Sequence, residues 1–312
     1  MDVIRQTNGL TPPPGGHVVT IGFFDGVHLG HQAVIRSAQA WGERIGLPVA
    51  VVTFEPHPAQ VLRPDSAPKL LTDIDQKLGL LESLGVDATV VVPFDQTRAN
   101  ETADEFVDSV LVRALDAKVI VVGGDFHFGK NRGGSIELLE AVGADHGFEV
   151  EGINLFSQTG LSPVSSTLIR LAVSEGRVDD AAEMLGRTHT VKGLVVKGDQ
   201  RGRTIGFPTA NVAVPNQLIM PGDGVYAGWY LRPDRSRHPA AINIGKRPTF
   251  VQGAEHSVVE AHLIDFNDDL YGELAEVELV QRLRAEQRFD GIEALIAQLQ
   301  RDVSQASALL LV

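Results

Sequence analysis

VVTIGFFDGVHLGH, residues 18–31, reads as a short apolar strand, a glycine-bearing turn and the start of a helix. Ala33, Val34, Ile35, Ala38 and Trp41 carry the pattern onward with helical spacing. A helix start presents unpaired backbone N–H groups and the positive end of the macrodipole, a setting suited to phosphate. Gly26 and Gly30 let the backbone approach a ligand with no Cβ in the way. His28 and His31 are three residues apart, so both can face one bound group if the turn enters the helix between them. An isolated pair of this kind is ordinarily two surface histidines. Here the strand–turn–helix order and the two glycines point instead to a phosphate site.

On both sides of that unit, apolar runs alternate with helical patterns. Pro48–Phe54 reads as a strand and is followed by EPHP, whose prolines exclude helix. Asp73–Leu84 reads as a helix with Ile74, Leu78, Leu81 and Leu84 on one face. Ala88–Phe94 is a third strand, and Thr102–Leu115 a helix opened by Thr102 as cap with Glu105 three residues on. Lys118–Val122 is a fourth strand. Continuous Val/Ile runs mean strands buried on both faces, hence a parallel sheet between helices. Ligands in such sheets sit beyond the carboxyl ends of the strands, where the histidine pair and Asp125 both fall.

Two further stretches suggest anion chemistry. GDFHFGKN (124–131) nearly fits the spacing of a P-loop, but Asn131 stands where a Ser or Thr hydroxyl is needed and two phenylalanines crowd the loop. It is expected to shape the rim of a nucleotide or aromatic-ligand pocket. SPVSSTLIR (162–170) opens a helix whose first turn offers the hydroxyls of Ser165, Ser166 and Thr167, with Arg170 one turn on. Plain N-capping explains the hydroxyls. The arginine adds a bidentate phosphate donor that capping does not require.

Near Gly186-Arg187-Thr188-His189 the pattern changes to short β-rich runs separated by Gly, Pro and Asp: 190–197, 224–231, 240–244, 258–266 and 275–283. These imply an antiparallel barrel or sandwich. A final amphipathic helix, with Phe289, Ile292, Leu295, Ile296, Leu299 and Val303 as its apolar face, is expected to pack on it. The expected division is therefore 1–186 and 187–312, about two domains' worth of chain.

The 312 residues carry a net charge of −13. Residues 1–186 hold 13 basic and 25 acidic side chains, against 14 and 15 from Arg187 onward. An acidic first half argues against a nucleic-acid partner, whose affinity rests on basic neutralisation. A small anion can still be held by local dipoles, His, Arg and a divalent cation. With no cysteine there is no disulfide, thiolate metal site or cysteine nucleophile. No stretch reads as a signal peptide or membrane span, so the expectation is a cytoplasmic protein with small-molecule partners and no membrane.

Taken together, GFFDGVHLGH (22–31), TFEPHP (53–58), GGDFHFGKNRGG (123–134), SSTLIR (165–170), GDQRGRTIGFPTAN (198–211), GVYAG (224–228), NIGKRPTF (243–250) and the Glu260 strand leading to LYG (270–272) resemble the prokaryotic bifunctional riboflavin kinase/FMN adenylyltransferase (FAD synthetase) family. The likeness runs from Val18 to about Leu310. It implies an HxGH nucleotidyltransferase domain of Rossmann-like α/β fold, followed by a small antiparallel β-barrel kinase domain with a C-terminal helix. It further implies that riboflavin and ATP give FMN, and that FMN and ATP then give FAD and pyrophosphate.

By the same resemblance, His28, His31, Arg170 and Glu260 are the catalytic residues, with Glu260 as general base. Gly22, Phe24, Gly30, Ser165, Ser166, Thr167, Gly198, Gly202, Thr209 and Asn211 contact ATP or its phosphates. Thr209 and Asn211 also hold Mg²⁺ or another divalent cation, and His57, Asp125, Phe126 and Phe128 lie against the flavin. The glycines at 198, 202 and 206, with Arg201 and Arg203, form a flap over the triphosphate. Two positions depart from the family's usual pattern: His127, where Arg or Thr is frequent, and Phe23, where Asn or Val is. Along 258–266 simple alternation puts Glu260 and His262 on one face and Val259, Ala261 and Leu263 on the other. The competing readings are a chain with one module inactive, or a flavin carrier without turnover; self-association into a homo-oligomer is left open.

Overall fold

The computed structural model describes residues 1–5, 12–153, 164–247 and 256–311, so Ser162, Pro163 and residues 248–250 of the quoted motifs lie outside the described residues. By internal contacts the chain forms two compact units, Met1–Pro68 with Thr72–Ser165, and Lys69–Leu71 with Ser166–Val312.

The first unit is a six-stranded parallel sheet in the order β1-β4-β3-β2-β5-β6. Its strands are β1 (Asp2–Ile4), β2 (His17–Ile21), β3 (Val49–Glu55), β4 (Ala88–Pro93), β5 (Ala117–Gly123) and β6 (Glu149–Ile153). β2 and five of the six residues of β4 are wholly buried, as continuous apolar runs between two helical layers require. Helix α1 (Leu29–Ile45) follows β2, α2 (Ile74–Ser83) precedes β4, and α3 (Ala103–Phe106) runs on into a wider-turned segment, Val107–Ala114, before β5. Capping boxes open α2 (Asp73 with Gln76) and α3 (Thr102 with Glu105); each such cap stabilises its helix by about 1 kcal/mol. The chain builds β2, β3 and β4 in one direction across the sheet and then returns to lay β5 on the other side of β2. That reversal opens a crevice at the carboxyl ends of β2 and β5, where open α/β sheets bind ligands.

One expected face is different. Leu81 of α2 is fully buried as predicted, but the second buried residue of that helix is Lys77, not Leu78. A polar cluster beneath the β2 turn accounts for it, as described below.

The second unit is a closed barrel, β10-β11-β8-β7-β12-β9, with every pairing antiparallel. Its strands are β7 (His189–Val196), β8 (Ala210–Ala213), β9 (Gly224–Leu231), β10 (Arg237–Arg247), β11 (His256–Leu263) and β12 (Leu274–Arg284). Closure removes the exposed edges that a sandwich would leave. β8 is absent from the sequence reading because it is four residues long and follows a proline. Val259, Ala261 and Leu263 point into the barrel core with Val191, Val212 and Tyr230, and Glu260 and His262 fall on the other face, as alternation predicts.

Helix α4 (Ile136–His146) belongs to the first unit, and α5 (Ser166–Ser174) and α6 (Val178–Leu185) belong to the second. α6 packs on β7 and β12, and its Val178 belongs to the barrel's buried core. The compact units therefore part near residue 165, whereas the change of pattern in the sequence comes near 186. The terminal helix α7 (Ile292–Leu310) lies on β9, β10 and β12. Phe289 precedes the helix rather than belonging to its face, and Ile292 is exposed. The residues seated on the barrel are Val303, Ala306 and Leu310, packed with Ala227, Ala241 and Ile264.

Candidate functional sites

The β2–α1 turn is held in an unusual backbone conformation. Phe24 (φ 50°), Gly26 (φ 81°) and Val27 (φ 39°) all adopt positive φ, which non-glycine residues keep only where the surroundings over-determine it. Phe24 anchors the turn from below. Its side chain is buried with Val27, Ile35, Val51 and Leu81, so any contact it makes with ATP is through its backbone.

His28 is the N-cap of α1: its Nδ1 accepts the backbone N–H of His31 at 3.3 Å. In the neutral ring that leaves the proton on Nε2. The two imidazoles stack, with centroids 3.6 Å apart and planes 16° from parallel, and the Phe24 ring meets His31 edge-on at 5.2 Å. The expectation that both rings share one place is met, by stacking at the helix start where Gly30 also lies.

Loop 124–134 follows β5 and closes on itself. Phe128 and Gly134 exchange both backbone hydrogen bonds, at 3.2 and 2.9 Å, and Lys130–Arg132 form a single tight turn with Asn131 at φ 56°. A P-loop needs open backbone N–H groups running into a helix; here those of Phe126 and Phe128 are consumed within the loop. Gly134 is required because a Cβ there would lie 2.6 Å from the Phe128 ring. Phe128 is buried, stacked on Phe126 at 5.4 Å and 16°, while Asp125 is exposed. Ring contacts continue from Phe128 through Phe106, Phe54 and Phe23 to His57, which caps a short helix at Pro58–Leu62. Pro58 does not exclude helix here because it stands in the first turn, where its missing N–H has no partner to lose. Of the residues expected at the flavin, His57, Phe126 and Phe128 are thus linked, with Phe128 as support beneath Phe126 and not as a surface. Phe23, at 45% exposed, joins them.

In the second unit α5 begins at Ser166, with Thr167 exposed on its first turn. The Arg170 Nε donates to the Lys69 carbonyl at 2.7 Å.

The barrel carries its own site. Pairing sets Asn211 of β8 opposite Glu260 of β11, and Glu260 opposite Asn243 of β10, so the three side chains form one row on a single face. Asn243 is missing from the sequence-based set because only the register reveals it. Asn211 is buried at 8% exposed, and a Cβ on Gly198 would lie 2.6 Å from its carboxamide, so glycine there is a matter of close approach. Gly202 is similarly constrained, since a Cβ there would lie 2.3 Å from the Phe207 carbonyl oxygen. Beyond the last ladder pair of β8 and β11, the His262 Nδ1 donates to the Pro208 carbonyl at 2.8 Å, beside Thr209.

Thr209, Asn211 and Glu260 line a cavity of about 630 Å³ whose lining also includes Phe289, Leu295, Leu299 and Val303. Arg284 clamps Asp302 of α7 with a two-pronged pair, Nη2–Oδ2 2.7 Å and Nε–Oδ1 3.0 Å, joining β12 to the helix. The expected apolar face of α7 is thus divided between barrel contact and cavity wall. A lining that mixes apolar side chains with a few polar and charged groups is usual for a small-molecule site.

A family model described as FAD synthetase matches residues 11–168, and one described as riboflavin kinase matches residues 185–310. Among curated relatives, the bifunctional riboflavin kinase/FMN adenylyltransferase of Escherichia coli (strain K12) is 41% identical over 303 residues, covering 97% of this chain and 96% of its own. That of Listeria monocytogenes is 42% identical, covering 93% and 91%. Among solved structures, the crystal structure of a macrolide-efflux protein from Streptococcus pneumoniae is 32% identical, with a TM-score of 0.86 and 97% of each chain covered. Efflux is said of that protein; among the described residues here no helix is long and apolar enough to cross a membrane.

Proposed function

The chain belongs to the bifunctional riboflavin kinase/FMN adenylyltransferase family, making FMN from riboflavin and FAD from FMN, and from that premise we propose which residues carry each transfer. The observation that supports the assignment is the contrast between a stacked histidine pair at a helix start and a row of Asn and Glu beside Thr209 on the barrel.

In adenylyl transfer the phosphate of FMN attacks the α-phosphorus of ATP, the new P–O bond forms and pyrophosphate departs. A phosphate monoester is already ionised near neutral pH, so no general base is needed. The requirement is donors aimed at charge that shifts in the transition state. His28, with its proton on Nε2, His31 and the N–H groups of α1 supply them at the α-phosphate, with Gly22, Phe24 and Gly30 contributing backbone. Ser165, Ser166, Thr167 and Arg170 hold the departing phosphates, a role that stands on the SSTLIR motif. His57, Asp125 and Phe126 face the flavin.

In the kinase step the ribityl 5′-hydroxyl attacks the γ-phosphorus of ATP, the new P–O bond forms and ADP departs. An alcohol must lose its proton, and Glu260 receives it. The neutral oxygens of Thr209 and Asn211 beside a carboxylate fit a hard divalent cation, and the tight Gly198–Asn211 approach holds one donor in place. When bound, that cation offsets charge on the transferring phosphoryl group. Gly198 and Gly202 let the backbone close on the triphosphate.

We assign the adenylyltransferase to residues 1–186 and the kinase to 187–312, place the protein in the cytoplasm, and assign it small-molecule partners without nucleic acid. Incubation with riboflavin, ATP and Mg²⁺, with flavins separated over time, should show FMN rising before FAD. If FMN never forms from riboflavin, or supplied FMN is not converted, the corresponding site assignment fails.

A further inference from the structure

Lys77 is a lysine where the helix pattern asks for an apolar residue. It lies on the inner face of α2 beside Leu81 and is 5% exposed. Lysine is rarely buried so fully, because its ammonium must be desolvated, and a leucine or methionine would fill the same space without that cost.

What surrounds the ammonium explains the choice. Nζ donates to Thr53 Oγ1 at 3.3 Å, and the Thr53 hydroxyl donates to the Phe23 carbonyl, in the turn itself, at 3.1 Å. The opposing charges are Asp25, in the same turn and 3% exposed, and Glu55 at the end of β3. Asp25 Oδ1 accepts the Thr72 N–H at 3.2 Å, and the Thr72 hydroxyl oxygen accepts the Gly26 N–H at 3.1 Å. The turn is therefore tied on both sides of its left-handed residues, at Phe23 through Thr53 and at Gly26 through Thr72. Burial lowers the affinity of Lys77 for its proton, and Asp25 and Glu55 oppose that change.

We propose that Lys77 is a positioning residue for adenylyl transfer: its buried ammonium balances Asp25 and, through Thr53, holds the Phe23 carbonyl, setting the backbone path that delivers His28 and His31 to the start of α1. It acts through the turn and touches no substrate. The inference rests on the assignment of the His28–His31 turn to adenylyl transfer.

The test uses the full chain with Lys77→Met and, separately, Thr53→Val, which removes the linking hydroxyl but keeps shape and both charges. Misplacement of reacting groups lowers turnover more than binding. FAD formation from FMN should lose about tenfold or more in kcat in each variant, with KM for ATP and FMN little changed and riboflavin phosphorylation intact in the same preparation. Unchanged kcat in folded Lys77→Met, a change confined to KM, or a parallel loss of kinase activity overturns the proposal. If Lys77→Met does not fold, Thr53→Val decides alone, and unaltered FAD synthesis there overturns it. His28→Ala separates the two layers: FAD synthesis surviving that change removes the underlying assignment, whereas FAD synthesis lost there but kept in Lys77→Met and Thr53→Val removes only this one.

Discussion

The turn after β2 and the row across β8, β11 and β10, each proposed to handle ATP phosphates, have almost no chemistry in common. The turn relies on two stacked rings and a helix start, donors only, carried on a backbone bent through positive φ at three positions. The barrel row sets two carboxamides around a carboxylate by ordinary strand register, with the Thr209 hydroxyl beside them on the same cavity. The difference follows the nucleophile. A phosphate monoester arrives ionised and needs only charge stabilisation, whereas an alcohol arrives with a proton to lose.

The comparison breaks first at Glu260. Glu260→Gln should cut riboflavin phosphorylation by about 10²–10⁴-fold while FAD formation from added FMN continues, measured by chromatography of the flavins. His28→Ala should do the reverse, with about 10²–10³-fold loss of FAD formation and FMN formation kept. Either change abolishing both activities in folded protein would sink the two-site assignment.

A third experiment sharpens the contrast in how the units use histidine. His189, at the start of β7, is fully enclosed, and burial, then Arg187, lowers its pKa to about 4. Unfolded, it titrates near 6.5. Between those values the unfolded chain binds a proton that the folded chain refuses, so barrel stability is full above about pH 6.5 and declines as pH falls towards 4. The slope is about 1.4 kcal/mol per pH unit, for a total on the order of 3 kcal/mol. Urea unfolding followed by Trp229 fluorescence, in a Trp41→Phe background, should lose that part of the acid-side decline in His189→Leu. An identical slope would assign the acid sensitivity elsewhere.

The smallest effect is expected at Thr209→Val, which keeps the strand and removes one oxygen. The Mg²⁺ concentration for half-maximal kinase rate should rise about tenfold, near 1.5 kcal/mol, with FAD formation from FMN unchanged. No change in Mg²⁺ dependence would take Thr209 out of the cation's donor set.

Residues close together in the chain were legible before any fold was known. His28 and His31 are one turn apart on a helix whose start the glycines announce, and Glu260 faces away from Val259 and Ala261 by alternation alone. Local geometry depends on neighbours in sequence, so motif and periodicity carry it. Asn243 beside Glu260 could not be read this way, since strand pairing between distant segments decides it. Nor could the burial of Phe24 and Phe128, which moves one to a backbone role and the other beneath Phe126.

By itself, then, the sequence determined the alternation of β2 to β5 with their helices, the change from parallel sheet to β-rich module, and the residue types at each proposed phosphate site. Tertiary structure alone decided that the second module closes as a barrel, that α6 packs with it, and that Lys77 turns inward to Asp25 and Thr53. The physical reason is the same in each case. A lysine's cost of burial, or a strand's unpaired edge, is settled only by the groups that the rest of the chain brings to it.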